Sequence, residues 1–380
     1  MAARTLEKKE TLRRLAKSLS KIQETDIEKV RIENCIGYCK VPLGIAGPLH
    51  LVGPTFDEEH VYAPLATYEP TVVASCCRGC KVLNESGDVR FEIFDNGMSR
   101  APVFVFKDPS DAITIAKALL TLQKSFAEWA ESTSTHVRLQ RIKPTVIGSQ
   151  VHLFCSYDCG SATGQNMVTK ATQYACDKLQ ELWKEKFSIQ GFLIEGQLAS
   201  DKTPSWGNVK TARGVEVLAW GKITPSACQD ILGCTTEQLY LTHKTLKEGA
   251  IRNGQFGCNI NTANIVAAMF ISTGQDPAST AEASWSHLTS ELDSSTGDLT
   301  ISLYFPSLPV GTVGGGTGYG TQKEALKILQ CGKEGLKERL AGSIASFSLA
   351  LEVSTSAAFA NNTFTASHMR LARGESIPKL

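Results

Sequence analysis

Residues 145–156, TVIGSQVHLFCS, form the stretch on which the fold prediction depends. Their β-branched and aromatic side chains predict a strand. Segments with helical spacing of apolar residues lie on either side, at Asp111–Trp129 and Asn166–Phe187. Further strands are predicted at Val103–Phe106 and Gly191–Ile194. This alternation of strands and helices indicates a compact α/β subdomain inserted in a larger mixed α/β (α+β) chain.

The sequence outside this insert predicts a second, larger body. Its N-terminal part begins with an amphipathic helix over residues 5–23 and continues into extended loops over Ile36–Pro54, where glycine and proline recur. A short apolar run, Thr71–Ser75, and a half-buried strand, Val89–Phe94, follow. The C-terminal part predicts strands at Val209–Trp220 and Leu299–Phe305 and helices at Thr262–Ser272, Gln322–Gln330 and Leu340–Ala360.

Composition limits the classes of function. The chain has 380 residues, with 39 basic and 38 acidic side chains and a net charge of +1, which gives no general electrostatic basis for binding nucleic acid. No apolar segment of membrane-spanning length and no signal peptide are predicted. The twelve cysteines are scattered, which indicates reduced thiols. Cys77 and Cys80 form an isolated C-x-x-C, for which small buried side chains beside a strand are favoured over a metal or redox site.

Two glycine-rich turns could approach a ligand closely. Gly311–Gly318 (GTVGGGTG) follows a predicted strand and precedes a predicted helix, and Gly160–Asn166 (GSATGQN) is placed in the same way inside the insert. Backbone N–H groups of such turns can face a phosphate or an oxyanion. Neither turn matches a dinucleotide-binding or Walker pattern, so a tight turn that requires glycine is an equal explanation for each.

The glycine-rich turns belong to a longer series of motifs in a fixed order. The strings are ENCIGYCKVPLGIAGPL (33–49), TYEPTVVASCCRGCK (67–81), MSRAPV (98–103), STSTHVRLQ (132–140), GSATGQNMVTK (160–170), SDKTPSWGN (200–208), NTANIVAAMFISTGQDPA (261–278), FPSLPVGTVGGGT (305–317) and LAGSIASFSLALEV with SHM (340–369). In this series the chain resembles the catalytic region of eukaryotic-type hydroxymethylglutaryl-CoA (HMG-CoA) reductases.

The resemblance implies a large domain around a long central helix, a helical N-terminal cap and an inserted ferredoxin-like cofactor domain. The expected divisions are residues 1–34 for the cap, 35–101 and 205–380 for the large domain, 102–192 for the insert and 193–204 for a catalytic connecting loop. It also implies a homodimer or homotetramer, because the family's active site lies between subunits.

The resemblance further implies reduction of a thioester to an alcohol with two NADPH, through a hemithioacetal and an aldehyde. It assigns the oxyanion role to Lys202, proton donation to Glu69, coupling of these two groups to Asp276, and protonation of the departing coenzyme A thiolate to His368. The positions that match substrate contacts are Ser75, Arg100, Asp201, Lys244 and Asn264. Those that match cofactor contacts are Ser134, Gly160, Gly164, Gln165, Asn166, Gly314, Gly315 and Gly316. No metal is expected.

Departures from the family pattern concentrate in the recognition positions. Thr135 replaces an arginine that contacts the 2′-phosphate of NADPH, and Ser161 replaces an aspartate of the cofactor turn. Glu195 replaces a substrate-contacting serine, Thr203 a lysine and Asn261 a histidine. A further negative charge at Glu195 would repel a substrate carboxylate unless another group paired with it. The acid/base residues are retained, whereas both recognition regions have changed.

Three hypotheses follow. The first is an NAD(P)H-dependent reductase of HMG-CoA or a related acyl thioester, with NADPH as cofactor and NADH as the alternative. The second is a family member recruited to non-redox acid/base chemistry on a polyketide-like substrate of specialised metabolism. The third is a binding or regulatory paralogue. A cytoplasmic location is expected, with peroxisomal import as the alternative because the chain ends in Pro378-Lys379-Leu380. Gly374 occupies about the place of the serine that eukaryotic members phosphorylate, so that regulation is not expected.

Overall fold

The computed structural model describes residues 2–22, 24–54, 56–184, 186–331, 336–366 and 369. Their α-helices are α1 Ala2–Ser20, α2 Val72–Ser86, α3 Pro109–Thr121, α4 Gln123–Glu131, α5 Gln165–Trp183, α6 Trp206–Lys210, α7 Pro225–Ala227, α8 Thr236–Arg252, α9 Thr262–Thr273, α10 Thr280–Ala283, α11 Gly320–Ile328 and α12 Lys337–Ala360. Their strands are β1 Leu43–Gly53, β2 Phe56–Ala66, β3 Val89–Arg100, β4 Val103–Phe106, β5 Arg138–Ile147, β6 Gln150–Asp158, β7 Ile189–Leu193, β8 Gly214–Ile223, β9 His287–Leu292 and β10 Leu299–Leu308.

These helices and strands confirm the mixed α/β class, and the chain forms two compact units. The smaller unit contains residues 94–216 and 306–311, and the larger unit contains residues 1–93, 217–305 and 312–380. The predicted insert, 102–192, falls inside the smaller unit.

The smaller unit has a ferredoxin-like arrangement. Its elements follow one another as strand β4, helices α3 and α4, strands β5 and β6, helix α5 and strand β7. The strands are antiparallel in the order β7-β4-β6-β5. Alternate residues of β6 are buried, including Val151, Leu153 and Cys155, and these pack in one core with residues of α3 and α5. The period-two alternation therefore directs one face of the sheet onto the helices.

The larger unit is organised around α12, whose side chains are buried along nearly its whole length. Helix α2 crosses it so closely that a Cβ atom on Gly79 would lie 1.7 Å from the carbonyl oxygen of Ala350. Strand β1 pairs antiparallel with β2 and runs parallel to the start of β3, while β9 pairs antiparallel with β10. The predicted long central helix is thus present.

Helix α12 corrects one sequence prediction. It has 24 residues and a mean hydropathy of 1.3 over an 18-residue window, so its length and composition would suffice to span a membrane. However, 89% of that window is buried inside the structure, as in the core helix of a water-soluble protein. The statement that no segment reaches the apolar length of a membrane span was therefore wrong, although the burial of α12 gives a different explanation for its apolar composition.

Several element predictions were also wrong. Residues 43–53, predicted as loop, form β1. Cys77 and Cys80 lie on helix α2, and the Cys77 thiol lies 3.8 Å from the carbonyl oxygen of Gly47 in β1. The segment 145–156 is divided between β5 and β6, because Gly148 adopts a φ of 59° in the two-residue turn that joins them. The predicted helix 111–129 is two helices, α3 and α4. Helix α8, which carries Lys244, was not predicted.

Candidate active site

Glu69 lies in the connection between β2 and α2, and its side chain is exposed. Its backbone N–H donates to Thr67 Oγ1 at 3.0 Å, which fixes the turn before the helix. Pro70 follows, and Thr71 has a φ of 80°, a left-handed conformation that is costly for a β-branched residue. The backbone that leads from Glu69 into α2 is therefore specified by its surroundings rather than by local preference.

A cavity of about 330 Å³ in the larger unit brings three predicted residues together. Glu69, Ser75 and Asn264 all line it, and α2, α9 and α12 supply most of its wall. Its apolar lining includes Val72, Ile260, Leu351, Phe359 and Phe364. A mostly apolar cavity with a few converging polar groups is the usual form of a small-molecule site.

Arg78 is a cation on this cavity wall that the sequence analysis did not single out. Its Nε donates to Ser354 Oγ at 2.9 Å and its Nη2 to the Ser354 carbonyl at 2.6 Å. Ser354 Oγ lies 2.8 Å from Ser75 Oγ, so α12 orients both α2 side chains. Burial lowers the pKa of Arg78, but a guanidinium keeps its charge at neutral pH. The only sequence signal that could have identified Arg78 is that it is a single arginine among the small residues of α2.

Glu352 of α12 fixes the beginning of α9, the helix that carries Asn264. Its carboxylate accepts the N–H groups of Ile260 and Asn261, each at 2.8 Å, and the hydroxyl of Thr262 at 3.1 Å. The side chain is fully buried, and burial raises its pKa. Because these backbone donors begin a helix, the carboxylate replaces the missing N-terminal hydrogen-bond partners.

The smaller unit contains a second cluster, made of charged and amide side chains. Arg100 Nη1 lies 3.4 Å from Glu195 Oε2 and 3.5 Å from Asp201 Oδ2. Asp201 Oδ1 also accepts from Arg213 Nη2 at 2.7 Å, and Asp201 Oδ2 accepts from Gln165 Nε2 at 2.9 Å. Arg213 Nη2 donates to Gln165 Oε1 as well. The structure thus joins the predicted substrate residues Arg100 and Asp201 to Gln165, and it adds Arg213, which the sequence analysis missed.

Lys202 follows Asp201 in a loop with an unusual backbone. Gln197, Ser200 and Lys202 have φ angles of 65°, 52° and 58°, and none of them is glycine. Left-handed residues of this kind concentrate at functional loops, because the surrounding structure must hold them there. Lys202 is exposed, in the smaller unit.

The predicted cofactor turn begins α5. Gly160 and Gly164 have φ angles of 56° and 91°, and the N-cap residue of the helix, Gly164, has no side chain that could cap its first turn. A Cβ atom on Gly164 would lie 2.3 Å from Cys159 Sγ, so packing as well as conformation requires glycine there. Asn166 is exposed at the start of α5, and Ser134, which follows α4, accepts the N–H of His136 at 3.2 Å. The uncapped N-terminus of a 19-residue helix is suited to a phosphate group.

The glycine-rich loop of the larger unit has a packing role. Gly314 and Gly315 have φ angles of 84° and 55°. Gly316 lies against Gly274, and a Cβ atom added to Gly274 would lie 2.3 Å from the carbonyl carbon of Gly316. This contact explains part of the glycine content without a ligand. The assignment of Gly314, Gly315 and Gly316 to cofactor binding stays a prediction.

The remaining predicted residues are dispersed. Asp276 is exposed, and its Oδ1 accepts the N–H of Ala278 at 3.0 Å at the start of a short 3₁₀ helix. Lys244 is exposed on α8. His368, Gly374 and residues 378–380 lie outside the described residues. Among the residues that the structure describes, no group of three or more His, Cys, Asp or Glu side chains could hold a metal ion.

His243, beside Lys244, lines a second cavity of about 390 Å³ in the larger unit. Both ring nitrogens are buried without a hydrogen-bond partner among the described residues, and burial lowers the pKa of His243 to about 4. The imidazole is therefore neutral at pH 7.

Acidification from pH 6.5 to pH 4 is expected to destabilise the fold through His243. The pKa of His243 is lower in the folded state than in the unfolded state, where it is near 6.5. The stability that the neutral imidazole contributes is therefore complete above pH 6.5 and is lost as the pH falls toward 4, by on the order of 3 kcal/mol. Urea unfolding across this range measures the loss. His243→Leu should flatten the profile, whereas exposed His136→Gln should not. An unchanged slope in His243→Leu would contradict the prediction.

Comparisons with known proteins agree with the resemblance. The family model described as "Hydroxymethylglutaryl-coenzyme A reductase" matches residues 2–373. The 3-hydroxy-3-methylglutaryl-coenzyme A reductase of Haloferax volcanii is 36% identical over 349 residues, covering 90% of this chain and 85% of the relative. That of Methanocaldococcus jannaschii is 35% identical over 356 residues, covering 93% and 87%. The class II reductase of Streptococcus pneumoniae bound to NADPH in open conformations superposes with a TM-score of 0.74 at 17% identity, covering 93% and 95%.

Proposed function

The chain belongs to the hydroxymethylglutaryl-coenzyme A reductase family, and we propose that it catalyses the NAD(P)H-dependent reduction of HMG-CoA, or of a related acyl thioester, to the alcohol with release of coenzyme A. The observation that carries the proposal is the family match over residues 2–373. The cavity shared by Glu69, Ser75 and Asn264 supports it, because a proton donor and substrate-binding groups must meet at one site.

In this mechanism Lys202 places its ammonium group beside the oxygen of the thioester carbonyl and stabilises the negative charge that develops there. His368 protonates the departing thiolate, and Glu69 supplies the proton to the oxygen of the aldehyde as it becomes the alcohol. Asp276 adjusts the charge state of Glu69 and Lys202. Arg100, Asp201, Lys244, Asn264 and Ser75 hold the substrate.

The cofactor is NADPH in this proposal, with NADH as the alternative. Each of the two cofactor molecules used in the reaction would supply one hydride when bound. The N-terminus of α5, preceded by Gly160 and Gly164 and carrying Gln165 and Asn166, would receive a phosphate group, and Ser134 and Gly314–Gly316 would contribute further contacts. Thr135, which replaces an arginine of the family, leaves the 2′-phosphate with one fewer cation and so weakens the preference for NADPH over NADH.

The reductase hypothesis is favoured over the two others. The relatives that the chain matches over most of its length carry the name of the reductase. The N-terminus of α5, which is suited to a phosphate group, and the cavity lined by Glu69 fit an enzyme that combines a nucleotide cofactor with acid catalysis.

Assembly and location are part of the proposal. Ile36 is 97% exposed and Ile32 is 61% exposed, and isoleucines so placed support contact with a second copy of the chain. The proposal is a homodimer or homotetramer in the cytoplasm, with peroxisomal import as the alternative location.

Absorbance of the nicotinamide band tests the proposed activity. The purified protein is mixed with HMG-CoA and either NADPH or NADH, and the proposal expects loss of absorbance with two equivalents of cofactor consumed per coenzyme A released. Free thiol is measured in parallel. If neither cofactor is oxidised with HMG-CoA or with an analogue that lacks its carboxylate, the proposed function is wrong.

A further inference from the structure

The charges of the cluster around Arg100 balance within the smaller unit. Two guanidinium groups, Arg100 and Arg213, face two carboxylates, Glu195 and Asp201, at the distances given above. Arg213 is 2% exposed and the side chains of Arg100 and Glu195 are 10% and 15% exposed, whereas Asp201 keeps 24%. The cluster is therefore largely desolvated and opens to solvent at Asp201. Neighbouring Gln165 and Thr203 add no charge.

Glu195 is the member that makes the cluster neutral. Its Oε2 accepts the backbone N–H of Ala101 at 3.1 Å and lies beside Arg100 Nη1. Its Oε1 is buried without a hydrogen-bond partner in the described part of the chain, and so is Arg100 Nε. Glu195 and Arg100 thus keep an unused acceptor and an unused donor beside each other's ion pair. Buried polar atoms in this state are costly unless a ligand or water satisfies them.

A ligand carboxylate is a poor complement to this cluster. It would meet two carboxylates within a largely desolvated site, and each guanidinium already has a carboxylate neighbour. The added negative charge would lose its hydration without gaining an unpaired cation. A hydroxyl group or a primary amide is the better complement, because it donates to one atom, accepts from another and brings no charge.

We propose that Glu195 determines substrate specificity by selecting acyl thioesters whose distal end is an uncharged hydrogen-bonding group rather than a free carboxylate. The inference rests on the proposed function, in which Arg100 and Asp201 hold the acyl group. It narrows that function to a class of substrate. The simpler alternative is that Glu195 only fixes the backbone of Ala101, in which case its charge would not affect substrate choice.

A pair of thioesters that differ in charge tests the proposal. HMG-CoA carries the carboxylate, and the primary amide of HMG-CoA has the same shape without it. Each is measured for kcat/KM with NADPH and NADH, and each is titrated by calorimetry against the protein. The native protein is expected to prefer the amide by tenfold or more in kcat/KM or in Kd, which corresponds to about 1.4 kcal/mol.

Glu195→Gln provides the matched substitution, because it removes the charge while keeping an oxygen to accept from Ala101. It is expected to shift the ratio of the two thioesters at least tenfold toward HMG-CoA. Glu128→Gln makes the same change of net charge at an exposed position of α4 and should leave the ratio unchanged. Glu195→Ser serves as a second variant if Glu195→Gln does not fold.

The outcomes separate the inference from the proposed function. If no thioester is reduced, the proposed function fails, and calorimetry alone decides the inference. A native protein that binds or reduces HMG-CoA as well as the amide overturns the inference even if reduction is efficient. A ratio that stays within threefold in both Glu195 variants, with unchanged folding, assigns Glu195 only the structural contact with Ala101 and overturns it as well.

Discussion

Gly79→Ala is expected to destabilise the larger unit by on the order of 3 kcal/mol, the cost of overpacking at a helix contact. The added methyl group would lie 1.7 Å from the carbonyl oxygen of Ala350, a backbone atom that cannot turn away. Helices α2 and α12 would have to separate, which would expose the buried face of α12 to water. The free energy of urea unfolding measures the effect.

Gly249→Ala is the matched control for this prediction. Gly249 also lies within a helix, α8, but a Cβ atom there would meet no atom within 4 Å. Alanine has the higher helix propensity, so stability should be unchanged or should rise by up to about 1 kcal/mol. If the two variants changed stability in the same direction and by similar amounts, the close crossing of α2 and α12 would not be the cause.

Lys202→Ala is expected to reduce kcat by about 10²- to 10³-fold under the proposed function, with a smaller effect on KM. The reason is that an ammonium group beside the carbonyl acts mainly on the charge of the transition state. Alanine and lysine share the Cβ atom, so the cost of a φ of 58° at this position is the same in both proteins. Steady-state oxidation of the nicotinamide measures the loss.

Lys210→Ala controls for the removal of one positive charge from the smaller unit, since Lys210 is exposed at the end of α6. It should retain activity within twofold. A Lys202→Ala protein that keeps more than a third of the native kcat would show that Lys202 is not the oxyanion group.

The success of the element predictions depended on whether a segment carries its own signal. Strand β4 was predicted with its observed bounds because Val103–Phe106 is apolar and enclosed by breaks in the pattern. Helix α2 was missed because Cys, Ala, Gly and Val produce no strong periodicity, and its helical state depends on packing against α12. The β5–β6 turn was overlooked although Gly148 marked it.

The candidate site divides in the same way. Glu69, Ser75 and Asn264 were predicted from their motifs, and they line one cavity. Arg78 and Arg213 were missed because a lone arginine in a sequence is usually a surface charge. Only the structure shows that hydrogen bonds to Ser354 and Asp201 fix their positions. The predicted residues His368 and Asp276 remain predictions about chemistry.

The amino-acid sequence by itself determined the family and the alternation of strands and helices in the insert, because each is carried by neighbouring residues. The acid/base residues that it indicates stay a prediction. Only the tertiary structure decided that Glu195 is paired with Arg100, 95 residues away, and that α12 is a core helix. The sequence predicted repulsion of a substrate carboxylate unless Glu195 was paired. Because Glu195 is paired with Arg100, its charge is matched and the cluster is neutral. The sequence could not show this, because electrostatic energies depend on distances that only folding creates.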